Sequence, residues 1–512
     1  MSKPPEELVS GLHETVCTSR ENLLCLEQLQ EQVLAHTQKS SACTAAWLPP
    51  EDGADMTGLL PTVKICKVES HPGTLDIVTR LKETWAGRFY INHLKQVPLI
   101  RRLIIVLWRN LYFFYAHFVA ANFSSRPANR WRPLVKLADY VESSNIPTIK
   151  VFDAVRVDTP APKVFPAEDQ AYLVSPHDHY VFPPVYVAEL RDVEVYGGTN
   201  LLFAHDAVIC HDLYDFERDY TSEELHGRHV ISPKKKLMRL LSDDAAPEQM
   251  LLAAAFLDAC AHNYAHWLTE VLPRIAAFCS IKQYANVPIL VDDGLHRNIM
   301  ESLLLVVGHE RDVILVPIGR SVRVETLYTT SVTGYVPFER RTNKLQGYSH
   351  GKFSSLALEQ LSNQIATIAD RQPKHIFPEK IYVCRNSGVR KVTNSAVLEE
   401  VLADHGYVTV EPERFTFLNQ VRLFRNTKKI VSPTGSALVN AIFCQPGVCV
   451  GVLMAKHEQM IYRYWANMLP PLQIMTFYIL GNITDNHLSG IHADFKIDEI
   501  NIDRLLASWE AK

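Results

Sequence analysis

Several features that most quickly give a function away are missing from this sequence. Its 52 Lys and Arg stand against 56 Asp and Glu, for a formal charge of −4, so no net basic field draws it to nucleic acid, although local basic patches stay open. The ten cysteines, at 17, 25, 43, 66, 210, 260, 279, 384, 444 and 449, include no CxxC pair. Most lie in apolar surroundings, as in Ala-Cys-Ala at Cys260, which predicts buried free thiols in a reducing compartment. The opening MSKPPEELVS has no apolar core and is not a secretory signal. The expected location is cytoplasmic, with a peripheral position on the inner face of a membrane as the variant. No residue-level repeat is present.

At 512 residues the chain has room for two or three sizeable cores. Residues 1–149 read as a helical accessory region. Within it, Leu8, Leu12 and Val16, then Leu26, Leu29 and Val33, recur at helical spacing and predict a helix over 5–37. That helix packs on its own domain or binds a partner. The most apolar run, 103–123, contains Arg109, Asn110 and His117 and is flanked by Arg101, Arg102, Arg126, Arg130 and Arg132. It reads as a buried helix, a helix lying on a membrane surface through 101–132, or a span, the last opposed by its central charge.

From 150 to 215 short alternating runs predict a meander of strands. His177, Asp178 and His179 sit in one of its loops and read as surface residues in the absence of further spaced ligands. From 250 onward helices and strands alternate in two series: a helix over 247–283, then VPILV, 296–307, DVILVP and VETLYTT; after the polar linker ERRTNKLQGYSHGKF, a helix over 353–370, then KIYVC, 394–404, YVTV, 416–426, KKIV, 436–443 and VCVGVL. Two α/β halves follow, 150–340 and 341–480, with a closing helix in 481–512.

Ligands of open parallel sheets bind beyond the carboxyl ends of the strands. Arg385 stands at such an end, followed by Arg390, Lys391 and Asn394. Clustered cations there suit a diphosphate, since arginine gives forked charge-assisted hydrogen bonds; a solvated loop is the bland reading. In the same half SPTGSALVNAIFCQPG runs from a strand through small residues into a helix. Thr434, Gly435, Ser436 and Asn440 are candidate phosphate contacts at that helix start, or Gly435 and Ala437 merely permit close packing. In the first half, AHNYAHWLTEVLPRI places His262, His266 and Glu270 four residues apart, on one face of a helix. HExxH is absent and no further ligand follows, so an acid–base pair or a polar seam is expected rather than a metal site.

These segments, in this order, resemble glycosyltransferase family 61 of bacterial type. The first motif is matched by Asn263, Tyr264, His266, Trp267, Leu268, Glu270, Leu272, Pro273 and Arg274. The second is matched by Arg385, Arg390 and Asn394, and the third by Pro433, Gly435, Leu438, Asn440, Phe443, Pro446 and Gly447. Thr434 stands where many members carry His, and Lys456 follows the last strand, where many carry Glu and where a phosphate contact is the substitute reading. The resemblance covers roughly 180–455.

It implies a GT-B fold, two Rossmann-like domains facing a cleft, and inverting, metal-independent transfer of a hexosyl or pentosyl group. The donor would be a nucleotide sugar, a UDP-sugar first, with no further cofactor. The acceptor would be a glycan or lipid-linked glycan of surface polysaccharide synthesis. His266, Glu270 and His262 would serve acid–base chemistry, and Arg385, Arg390, Lys391, Asn394, Thr434, Gly435, Ser436 and Asn440 the donor. A sugar-nucleotide epimerase or hydrolase, or a non-catalytic glycan-binding subunit, are the alternatives.

Overall fold

The computed structural model describes residues 131–510 with short gaps (174–177, 222–223, 225–228, 241–245, 309–310, 338, 341–350, 374, 386–389, 458–461 and 485–492). Before them it describes 64–68, 84–90 and a few positions between 94 and 111. The helix expected over 5–37 therefore lies outside the described residues, as do His177 and most of the 101–132 run. Within that run Leu103, Leu107 and Leu111 are helical and exposed. Their four-residue repeat faces outward, which is not what a buried helix requires. Among the described residues no helix is long and apolar enough to cross a membrane.

The architecture is mixed α/β, built on two large sheets. In the first, strands Ile65–Lys67, Val313–Val316, Ile289–Asp292, Glu248–Ala255 and Ser321–Thr330 lie parallel in that order. The long strand Val185–Tyr196 then pairs antiparallel with Ser321–Thr330 and leads into the meander. The second sheet runs Val408–Val410, Lys380–Val383, Lys429–Pro433, Cys449–Ala455 and Met475–Ile483, all parallel. Lys163–Phe165, from the meander, crosses over to pair with Met475–Ile483.

Three expectations need correction. The accessory region is not helical throughout, because Ile65–Lys67 and Arg132–Lys136 are strands of the first sheet. The helix expected over 247–283 begins only at Tyr264, because Glu248–Ala255 is a strand. That segment sits between two parallel neighbours, so its apolar run lacks alternation, and a short buried strand then cannot be told from a helix by periodicity. Nor are all thiols free: Cys384 is disulfide-bonded, while Cys66, Cys210, Cys260, Cys279, Cys444 and Cys449 are free. Sequence spacing alone does not reveal bridges between distant cysteines.

One apolar core joins the two sheets' helices. Trp267, Leu268 and Ile275 of the first half pack in the same cluster as Leu361, Phe417 and Phe443 of the second. Full burial of each such side chain contributes about 1.5–3 kcal/mol. Polar groups inside this layer fix its register. The Tyr264 hydroxyl donates to Asn440 Oδ1 at 2.7 Å, and Asn440 Nδ2 donates to Gln420 Oε1 at 2.7 Å. Glu301, on helix Arg297–Val307, accepts from the backbone N–H groups of Phe417 and Leu418 at 2.8 and 3.1 Å. A carboxylate of one half thus caps the first turn of helix Phe417–Asn426 in the other, where free N–H groups and the helix dipole favour negative charge.

Removing Glu301 would leave two buried donors without an acceptor. Glu301→Ala is therefore expected to destabilise the fold by about 2 kcal/mol, measured by urea unfolding. Glu379→Ala, which breaks the exposed pair with Lys428, should stay within about 0.5 kcal/mol; equal losses would show that the Glu301 cap contributes nothing.

Candidate active site

The motif helix starts at Asn263, whose side chain caps it by accepting from Ala265 N. It is not a uniform α-helix. Tyr264–His266 is α, Trp267–Val271 is a π turn, and Leu272–Cys279 is α again. Pro273 gives the reason: it has no N–H for the carbonyl of Thr269, four residues back, and its ring crowds that carbonyl, so the backbone widens by a residue. The wide turn carries Glu270, and such turns recur at functional sites.

The freed carbonyl has a close neighbour. A Cβ at Gly334 would stand 2.2 Å from Thr269 O, so strand Gly334–Tyr335 passes there only because residue 334 has no side chain. Two residues on, Val336 N donates to Glu270 Oε2 at 3.0 Å. The other carboxylate oxygen, Oε1, lies 2.5 Å from His266 Nδ1. Glu270 is thereby held from both sides and fixes the imidazole ring. Burial alone would lower the His266 pKa; the adjacent Glu270 carboxylate outweighs it, and the net shift is upward. Among the described residues His266 Nε2 carries no hydrogen bond, which leaves that nitrogen open to an outside group.

His262 does not join this pair. It lies in the turn before the helix, exposed, with Nε2 against Asp293 O at 2.9 Å. The strand that ends at Ala255 is what removes it from the expected helical face. Among the described residues no three His, Cys, Asp or Glu side chains are grouped to hold a metal ion.

In the second half the small residues of SPTGSA have a concrete cause. Strand Lys429–Pro433 ends, Thr434 to Ala437 become half-buried, and a 3-10 helix Ser436–Phe443 begins. A Cβ on Gly435 would lie 2.0 Å from Arg385 Nη1. The guanidinium is laid across the bare Cα and donates from Nη1 to Thr434 O at 3.4 Å. Gly435 has an extended backbone, φ 175°, so close approach and not a left-handed conformation demands glycine. Arg390 stands close by in a left-handed conformation, φ 60°, a strain that a ligand clamp commonly holds. Burial, and then the charge of Arg385, push Arg390 down to about 10, and burial lowers Arg385 as well. Two partly buried cations therefore meet at the carboxyl edge of the sheet, beside the 3-10 helix start.

The remaining candidates have protein partners. Asn440 is fully buried in the seam with Tyr264 and Gln420. Asn394 brackets the backbone of Ile497, donating to its carbonyl at 2.8 Å and accepting from its N–H at 3.1 Å. Thr434 Oγ1 accepts from Trp465 Nε1 at 3.0 Å. Lys391 is exposed, with its backbone N–H bonded to Asp494. Lys456 pairs with Asp169 at 3.1 Å and lies over the Tyr172 ring. Ser436, half-buried at the helix start, keeps its hydroxyl unbonded among the described residues.

Sequence reasoning gave no role to Arg274, although it continues the four-residue step of His266 and Glu270. It also missed Tyr264 and Gln420 as a bridge, for which a buried partner across the fold is the signal and no sequence spacing is.

Residues 264–451, a little over a third of the chain, match the family model described as Glycosyltransferase 61. This segment is similar to glycosyltransferase family 61. The match bears out the resemblance carried by the HNYAHWLTE, Arg385 and SPTGSA segments, and the family implies a glycosyltransferase, which binds a sugar donor and an acceptor. No curated protein matches the chain.

The two glycines should respond differently to a methyl group. Gly435→Ala meets only the flexible end of Arg385 and is expected to leave the melting temperature nearly unchanged while weakening nucleotide-sugar binding by about tenfold, the loss of one charge-assisted contact. Gly334→Ala meets the Thr269 backbone and is expected to cost about 1–3 kcal/mol of stability and to lower turnover. Calorimetric binding and thermal melts of both variants check this, and a stable, fully active Gly334→Ala would refute the packing argument.

Proposed function

We propose that the protein transfers a hexosyl or pentosyl group from a nucleotide sugar, a UDP-sugar first, to a hydroxyl of a glycan or lipid-linked acceptor, with inversion and without a metal ion, in a GT-B arrangement of its two α/β halves. The observation that carries the donor side is the crossing of Arg385 over Gly435 beside Arg390. Two cations forced together in partly buried positions repel, and a diphosphate offers the opposite charge with oxygens spaced for forked hydrogen bonds. The first N–H groups of the 3-10 helix and the Ser436 hydroxyl lie at the same edge. A leaving nucleoside diphosphate gains negative charge as the glycosidic bond breaks, so cations preset there favour the transition state over the ground state.

On the acceptor side, the acceptor hydroxyl oxygen bonds to the anomeric carbon while the bond to the diphosphate oxygen breaks. The hydroxyl proton passes to His266 Nε2, and the imidazolium so formed is held through Nδ1 by Glu270. Activity then requires His266 to start unprotonated. Because Glu270 raises the His266 pKa, the rate is expected to climb with pH through a value above the ordinary histidine range.

Without the carboxylate, burial would dominate and lower that pKa. Glu270→Gln is therefore expected to move the acidic limb of the kcat/KM profile down by about one pH unit or more as it reduces turnover. A limb that stays in place would remove His266 from the proton transfer. Arg385→Ala is expected to abolish the thermal stabilisation that a UDP-sugar gives the wild-type protein. That gain grows with the logarithm of ligand saturation. Undiminished binding by Arg385→Ala, in a screen that includes GDP- and CMP-sugars, would overturn the donor assignment.

The supply of surface polysaccharide and a cytoplasmic position complete the reading, the first resting on the family alone. The disulfide at Cys384 takes two thiols, its own and its partner's, out of the argument for a reducing compartment.

A further inference from the structure

A pocket is lined by Asn200, His211, Asp258, Glu270, Arg274 and Thr330 among others, with a volume of about 30 Å³. That is room for roughly two or three water-sized groups, enough for a hydroxyl or hydroxymethyl group and too little for a whole sugar ring. Its lining mixes both signs of charge with one buried polar atom, His211 Nδ1, that the described residues do not satisfy. Arg274 is buried, and among the described residues its side chain's one hydrogen bond runs from Nε to Thr330 O at 3.3 Å. It forms no ion pair among them, although Asp258 and Glu270 are near enough to favour its charged form against burial. His211 is half-buried, and its buried Nδ1 lacks any hydrogen-bond partner among the described residues; its ring packs on Tyr335 at 4.3 Å. Burial, and then the charge of Arg274, lower the His211 pKa to about 3, so the ring is neutral at working pH. Asp258 accepts from Asn200 Nδ2 at 3.0 Å and from Cys260 N at 2.8 Å.

An unpaired buried donor or acceptor costs about 1–3 kcal/mol, so the unpartnered His211 Nδ1, beside an Arg274 side chain with a single hydrogen bond, asks for a polar occupant. The charges present say which kind. Arg274 alone would call for an anion, but Asp258 and Glu270 border the same space and would repel one. A hydroxyl meets both signs at once, accepting from the guanidinium and donating to a carboxylate.

We propose that this pocket is the acceptor subsite, receiving a neutral hydroxyl-bearing group of the acceptor sugar between Arg274 and Asp258, with Asn200 and His211 as specificity-determining contacts. The proposal rests on the reading of the chain as a glycosyltransferase. It gives the pocket next to the proton-accepting pair a purpose: a hydroxyl anchored here sets the position of the neighbouring hydroxyl that attacks.

Saturation-transfer NMR on the full chain, with methyl glucoside, methyl galactoside, methyl xyloside and methyl glucuronide as probes, tests it. At least one neutral glycoside should bind the wild-type protein. Its signal should fall roughly fivefold in Asn200→Ala and in His211→Phe, the second variant keeping the ring against Tyr335. Thermal stabilisation by UDP should be the same in both variants as in the wild type, since neither residue belongs to the donor side. Three results would overturn the proposal: no neutral glycoside bound, binding that survives both substitutions, or the glucuronide bound more strongly than the neutral sugars. Failure of the donor reading shows separately, as a wild-type protein that no nucleotide sugar stabilises, and the glycoside result then still decides the pocket.

Discussion

Everything at the site depends on a polar seam closed inside an apolar layer, where Tyr264, Asn440 and Gln420 bond to one another. Tyr264 opens the motif helix, two residues before His266. Asn440 belongs to the 3-10 helix that starts beside Arg385. Apolar packing alone tolerates sliding, because dispersion contacts are non-directional. A hydroxyl that must meet an amide at 2.7 Å does not tolerate it, since a displaced partner leaves buried polar groups unsatisfied. The seam therefore sets the offset between the His266–Glu270 pair and the two arginines, Arg385 and Arg390. Glu301, bonded to the first turn of helix Phe417–Asn426, and Asn298, donating to Phe415 O at 3.2 Å, hold the same interface from the neighbouring helix.

The local backbone obeys a similar logic. Pro273 deprives Thr269 of its helical donor, the turn widens, and Gly334 accepts the displaced carbonyl against its bare Cα. The strand brought in by that contact supplies the Val336 N–H that holds Glu270. One proline and one glycine, 61 positions apart in sequence, thus orient one carboxylate. At the other half a glycine again makes room, this time for a guanidinium.

Much of this was legible from the chain and some was not, for physical reasons. The alternation of elements after residue 285 read well because its helices are amphipathic and its turns carry capping residues, such as Thr416 and Ser354. Strand Glu248–Ala255 did not, because a strand enclosed by parallel neighbours loses the alternation that marks one. His262 was lost with it. Asn394, Thr434 and Asn440 matched a motif and sat at the expected edge, yet each is bonded to a partner distant in sequence, at Ile497, Trp465 and Tyr264. A one-dimensional pattern gives the location of a polar residue and not its partner. Arg385 with Gly435, and His266 with Glu270, are the pairs the fold brings into contact, the first where small residues at a strand end called for a close approach, the second because four residues span one helical turn.

The division of charge between the halves has its own necessity. A histidine that takes a proton must not stand beside the cations that hold a diphosphate, since each nearby positive charge would lower its pKa and weaken it as a base. Here His266 is surrounded by carboxylates, Glu270 in contact and Asp258 nearby, and its pKa is raised. Arg385 and Arg390 lie at the edge of another sheet, where burial lowers the proton affinity of both and the charge of Arg385 lowers that of Arg390 further. Arg274 is the cation nearest the base's side, and Asp258 and Glu270 both offset it. A raised imidazole among carboxylates and a pair of arginines at a strand edge thus lie in separate halves, and the buried seam keeps those halves in register while the electrostatics hold the two charge environments apart.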